Sequence, residues 1–207
     1  DTVHDFSGNG GDCTDAHPFI GVQATSTTDR WRRMWRGYFG FDTSAIGSDT
    51  ISAAVLTLVI IDKDNGSGAD GLHFAAVTVG SESAHDDDNY TLTNHGGTSF
   101  AYLADGDIAG GYTAEDWTLN ASGLAHINKS GNTFFGLRIG ADFDDVEPTW
   151  SSSIQYAYRI RMAEFAGTTQ DPKLVVTHAP GAGGGVTAGP LVNSIRLKSL
   201  VGGGLVG

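Results

Sequence analysis

Ile51-Ser52-Ala53-Ala54-Val55-Leu56-Thr57-Leu58-Val59-Ile60-Ile61 is the most apolar stretch of the sequence. It is rich in β-branched residues and apolar at both odd and even positions. That is the pattern of a strand buried on two faces at the centre of a sheet. Just before it, Met34 to Asp42 (MWRGYFGFD) alternates. Trp35, Phe39 and Phe41 fall on one face, Arg36 and Tyr38 on the other. Further out, Leu72 to Val79, Thr133 to Ile139, Gln155 to Phe165 and Pro172 to His178 read as strands, with weaker signals at Phe19 to Thr25 and Ser99 to Leu103. Turn chemistry separates the runs: Ile46-Gly47-Ser48-Asp49, Asp64-Asn65-Gly66, Ser130-Gly131-Asn132 and Gly167 to Asp171. One short helix is predicted at Asn120 to Asn128, capped by Asn120 or Ser122. Eight or more strands with almost no helix predict an all-β fold, an antiparallel jelly-roll β-sandwich. Phe39, Phe41, Leu56, Leu58, Leu137, Ile160 and Val176 are its expected core.

Composition agrees. Thirty of 207 residues are glycine, and 20 of the 24 acids are Asp, a turn and cap former with poor helix propensity. The net charge of −12 disfavours a phosphate backbone or an anionic membrane as partner, so no nucleic acid is expected. The apolar run at 53–61 is too short to span a bilayer, so no membrane span is expected. The single cysteine, Cys13, allows no internal disulfide.

The chain divides by composition. Residues 1–178 carry all 24 acids and 10 of the 12 bases, a balance of −14, and form the expected sandwich domain. Residues 179–190 (APGAGGGVTAGP) read as a glycine-rich linker. Residues 191–207 form an apolar C-terminal tail with Arg196 and Lys198 and no acid.

Three segments together resemble the DNRLRE-type domain, an extracellular module similar to carbohydrate-binding modules. Arg36-Gly37-Tyr38-Phe39-Gly40-Phe41-Asp42 matches its early "R-x-Y-x-x-F-D" strand, which leads through a short turn to "I-x-x-A-x-L-x-L", here Ile51 to Leu58. Asp116-Trp117-Thr118-Leu119, Ser122 to Asn128 and Phe135-Gly136-Leu137-Arg138-Ile139 match a Trp-led strand, a short helix and a "G-L-x-I" strand. Asp171-Pro172-Lys173-Leu174-Val175-Val176 matches the closing "D-P-x-L-x-V". The match spans roughly residues 30 to 178. It implies a jelly roll outside the cytoplasm, of a kind also found in phage virion proteins, and it implies no activity.

Three sets of residues are candidates for chemistry. Asp62, Asp64, Asn65 and Asp70 alternate oxygen ligands with glycines and would suit calcium, the one cofactor the sequence suggests. The bland alternative is a solvated loop. Trp31, Arg33 and Trp35 share a face if the strand is regular, and Trp31 and Arg33 with Trp117 would stack a sugar ring. Against this, Trp35 is an ordinary core residue and the arginines pair with Asp on adjacent strands. In the tail, Leu191, Val192, Ile195, Leu197, Leu200 and Val201 are too apolar to stay in water. Ile195 and Leu197 share a face while Arg196 points away, as in a strand added to a sheet edge. The seven histidines show no metal spacing, and no G-x-S-x-G elbow occurs, so no catalytic residue is predicted and no enzyme is expected.

The expectation is a non-enzymatic structural protein of an extracellular assembly, a virion surface protein of decoration or fibre type. Its tail would anchor it to other subunits, in a homo- or hetero-oligomer. The alternative is a carbohydrate-binding or adhesion module of a secreted or cell-surface protein, with a cell-surface glycan as partner.

Overall fold

A computed structural model describes residues 17–64, 68–78, 94–163, 165–180 and 191–193. Eleven strands occur among them: β1 (Phe19–Ala24), β2 (Trp31–Trp35), β3 (Gly37–Asp42), β4 (Thr50–Asp64), β5 (Leu72–Ala76), β6 (Ala101–Leu103), β7 (Thr113–Thr118), β8 (Asn132–Ile139), β9 (Gln155–Ile160), β10 (Lys173–Ala179) and β11 (Leu191–Asn193). They make two antiparallel sheets. The larger has the order β11-β10-β4-β9-β1-β2, with β7 also on β4, and the smaller has the order β3-β8-β5-β6. The fold is all-β. Two short helices interrupt it, α1 (Ala121–His126) and α2 (Gly140–Phe143).

The central-strand reading of 51–61 holds, and the strand is longer than expected. β4 pairs with β10 over 50–57, with β7 over 55–60 and with β9 over 60–64. Residues 55–57 pair with both β10 and β7, and Ile60 with both β7 and β9. Hence β10 and β9 follow one another along one side of β4, with β7 along the other. Leu56, Leu58 and Ile60 are sealed from solvent, and Val59 and Ile61 on the opposite face are also buried. All seven expected core residues are buried. An edge-on contact at 5.5 Å between Phe74 of β5 and Trp117 of β7 joins the two sheets through the core. Phe39, Phe41 and Phe135 extend that aromatic layer within the smaller sheet.

Three boundaries differ from the sequence reading. Met34 to Asp42 is not one strand: the chain leaves the larger sheet at Trp35 and enters the smaller one at Gly37. Arg36 sits at the crossing and is fully buried. Strand β9 stops at Ile160 instead of running to Phe165. Asp62 to Asp64, read as the start of a loop, are the last residues of β4. The predicted helix is α1, and the Asn120 side chain caps it by accepting from the Gly123 amide at 3.1 Å.

Candidate functional site

The C-terminal segment occupies an edge of the larger sheet. β11 runs antiparallel to β10, with Leu174 opposite Asn193, Val175 opposite Val192 and Val176 opposite Leu191. Strand addition, expected from the sequence on a neighbouring chain, is thus made here on the chain's own sheet. Leu191 and Val192 lie in this strand; Ile195, Arg196, Leu197, Leu200 and Val201 lie outside the described residues. β10 is a firm base for the contact. Leu174 and Val176 are buried in the core, and its far end is tied down by His178, whose Nδ1 lies 2.7 Å from Asp49 Oδ2. Lys129 Nζ donates to the Asp49 carbonyl at 2.9 Å, so β10, the turn after β3 and the loop before β8 are joined at one point.

Of the calcium candidates, Asp62, Asp64 and Asp70 are described, and they form no group arranged to hold a metal ion. Asp62 Oδ1 accepts from the Lys63 amide at 2.8 Å, and Asp64 Oδ2 accepts from Gln155 Nε2 at 3.0 Å. Both stand at the end of β4 in the larger sheet. Asp70 lies before β5 in a left-handed conformation, φ 56°. Its carbonyl accepts from the Tyr102 hydroxyl at 3.2 Å. Asn65 is outside the described residues. Among those described, no group of three His, Cys, Asp or Glu is arranged to hold a metal ion. Lys63 reaches a different carboxylate: its Nζ lies 3.1 Å from Asp105 Oδ1 and donates to the carbonyls of Asp105 and Ile108. The Tyr158 hydroxyl donates to the same Asp105 oxygen at 2.8 Å. Burial, then the Asp105 hydrogen bond and charge, push the Tyr158 hydroxyl far above its ordinary range.

The sugar candidates do not form one solvent-facing surface. Between β1 and β2 the register skips Arg32: Ala24 faces Trp31 and Gln23 faces Arg33. This bulge breaks the alternation assumed from the sequence, so Trp31 turns into the core while Arg32 and Arg33 both stay exposed. Trp31 is 3% and Trp117 1% exposed, and the Trp31 indole N–H donates to Glu147 Oε1. Neither indole offers a face to solvent on which a sugar ring would stack beside Arg33.

Two buried polar arrangements were not read from the sequence. In the first, Asp142 of α2 accepts from Arg36 Nε at 2.8 Å and Arg36 Nη2 at 2.5 Å, and from Arg138 Nε at 2.7 Å. All three side chains are sealed from solvent. Burial would raise the Asp142 carboxyl, but the hydrogen bonds and charge of Arg36, with the charge of Arg138, overcome it and hold the group at about 2. Arg138 and Asp142 are four residues apart, but Arg36 is 106 residues from Asp142, and no local pattern announces that partner. In the second, the His73 imidazole lies between the rings of Tyr102 and Phe143, each with its centroid 4.3 Å away, and its Nδ1 is 2.9 Å from Ser99 Oγ. Burial holds this histidine below its ordinary range, against the pull of Asp144 and Asp70. Arg138 lies over the Phe143 ring, 5.3 Å from its centroid, and so joins the two arrangements.

Comparison with protein-family models, with curated proteins and with solved structures finds no match. Among the described residues no helix is long and apolar enough to cross a membrane.

Proposed function

We propose that the chain is a non-enzymatic structural module of an extracellular assembly, a virion surface protein of decoration or fibre type, joined to its neighbours through its C-terminal segment. The observation that carries this reading is the seating of Leu191–Asn193 on the β10 edge. A short segment beyond a glycine-rich connection is there used as a sheet strand, the standard way an extended peptide is captured by a β-domain. The acid-free tail and the body at −14 have complementary signs, which favours contact between the tail and a body of this kind. The buried charges tie elements together, as Arg36, Arg138 and Asp142 do at the sheet crossing.

The body is a jelly roll in this reading. The order in which β2 to β9 alternate between the two sheets supports a pair of Greek keys. This leaves β3-β8-β5-β6 in one sheet and β2, β9, β4 and β7 in the other, with β1 inserted between β2 and β9. The test is truncation. A chain lacking residues 191–207 is expected to keep its far-UV circular dichroism and cooperative melt, yet to stay behind when the full chain sediments with its assembly. Equal incorporation of the two chains would overturn the proposal.

A further inference from the structure

We infer that the β10 edge is exchangeable, and that its second occupant is the Leu191–Asn193 strand of another copy of this chain; this rests on the assembly reading above and names its partner.

Among the described residues the strand is held by fewer pairs than its seat: β11 makes three residue pairs with β10, whereas β10 makes seven with β4 on its other side. The seat therefore persists when the strand leaves. Once bare, it would be a reactive edge. Its centre is Leu174-Val175-Val176, in an unbroken register with β11. The irregularity in β10, a register shift with β4 between Thr177 and His178, lies outside these three residues; at the opposite end of the sheet β2, the last strand there among the described residues, has its bulge beside the exposed pair Arg32 and Arg33. Bulges and outward charges are the usual devices that stop edge-to-edge pairing, and along β11's seat the covering strand takes their place.

The connection is longer than a hairpin needs. Two to five residues join most adjacent antiparallel strands, whereas eleven, residues 180–190, lie between Ala179 and Leu191. Five of these eleven are glycine. Eleven residues reach at most ~40 Å, enough to carry the strand to the same edge of an adjacent copy. Concentration decides between the two seatings. A short connection gives its own strand an effective concentration in the millimolar range, so the chain closes on itself when dilute. Packed subunits in an assembly reach similar local concentrations, and identical backbone pairing is then available between copies. Arg196 and Lys198 follow the strand and favour approach to a second acidic body.

Cross-linking of single-cysteine chains tests this. Val175 and Val192 face each other directly, a separation of ~4.5–5.5 Å between Cα atoms in such pairs and within disulfide range. In a Cys13→Ser background, Val175→Cys chains are mixed with Val192→Cys chains under mild oxidation. The mixed disulfide dimer is expected to rise as subunit concentration goes from ~10 μM to ~1 mM. It is expected to be absent when Ser48→Cys, at an exposed turn, replaces Val175→Cys. A chain carrying both Val175→Cys and Val192→Cys should close on itself at the lowest concentration, which verifies register and folding. No mixed dimer at ~1 mM, an equal yield with Ser48→Cys, or failure of the double variant to close would each overturn exchange. If the mixed dimer is absent while truncation still abolishes incorporation, the tail binds a different protein: exchange falls and the assembly reading stands.

Discussion

Asp142→Asn should cost this protein a large part of its stability. Asp142 pairs with both Arg36 and Arg138, and all three side chains are at most 2% exposed. The variant amide has nearly the same shape. It removes the negative charge between two buried guanidinium groups and turns an NH2 toward N–H donors. Removing one partner of a buried ion pair typically costs ~3–5 kcal/mol, because the remaining charge cannot be resolvated. A domain of this size holds on the order of 10 kcal/mol in total. The loss should therefore be plain in equilibrium urea unfolding followed by tryptophan fluorescence, since Trp31 and Trp117 are buried reporters. A midpoint shift worth less than ~1 kcal/mol would refute the argument, since it would put the pair in the range of exposed ones. The pH dependence adds a second check. The folded carboxyl is held at about 2, below its ordinary value of 3.8. Its contribution is therefore complete above the unfolded value and is lost as pH falls toward the folded one. That gap corresponds to about 2 kcal/mol. The parent protein should lose roughly that much more than the Asp142→Asn variant between pH 4 and pH 2. Parallel losses in the two proteins would show that Asp142 is not the group responsible.

Gly21→Ala should destabilise by more than ~2 kcal/mol in thermal melts, because at φ 157° its Cβ would lie 2.2 Å from the Tyr156 carbonyl oxygen and 2.5 Å from Ala157 Cα. Gly47→Ala, at φ 57° in open space, should cost only ~1 kcal/mol, and equal losses would show that the β1–β9 approach is not limiting. Trp117→Ala should cost ~3–5 kcal/mol, since it empties the contact with Phe74 that spans the core; a loss below ~1 kcal/mol would contradict that packing. Adding ~1 mM calcium should leave the melting temperature unchanged, because Asp62, Asp64 and Asp70 are not gathered; a rise of several degrees, reversed by chelator, would place an ion in that loop.

The fold was legible where its cause is local. The apolar Phe135, Leu137 and Ile139 and the unbroken apolarity at 51–61 are local patterns, and they mark β8 and β4 without any knowledge of partners. Asn120 announced α1 because a cap is a contact within four residues. What stayed hidden has long-range causes. The run from Met34 to Asp42 looks continuous because both halves are amphipathic. It divides because Arg36 meets Asp142 at the crossing between sheets, and a composition pattern carries no information about a partner so far along the chain. β7 was visible only through Trp117, since its other residues, Thr113, Ala114, Glu115, Asp116 and Thr118, suit a loop as well as a strand.

The same distinction separates the candidate sites. The sugar face depended on strict period-two geometry through Trp31, Arg32 and Arg33, and one extra residue in β2 was enough to turn Trp31 inward. The calcium loop depended on Asp62 and Asp64 being loop residues, but β9 continues the β4 ladder through both of them. The tail depended only on its being apolar and able to extend, and Leu191–Asn193 is a strand. Which edge receives that strand was not legible, because backbone pairing is available to any open edge and side-chain pattern selects among edges only weakly. The stretch it takes, Leu174 to Val176, lies clear of the β10 register shift at Thr177/His178 and carries no arginine, and it has the same form in every copy of the chain.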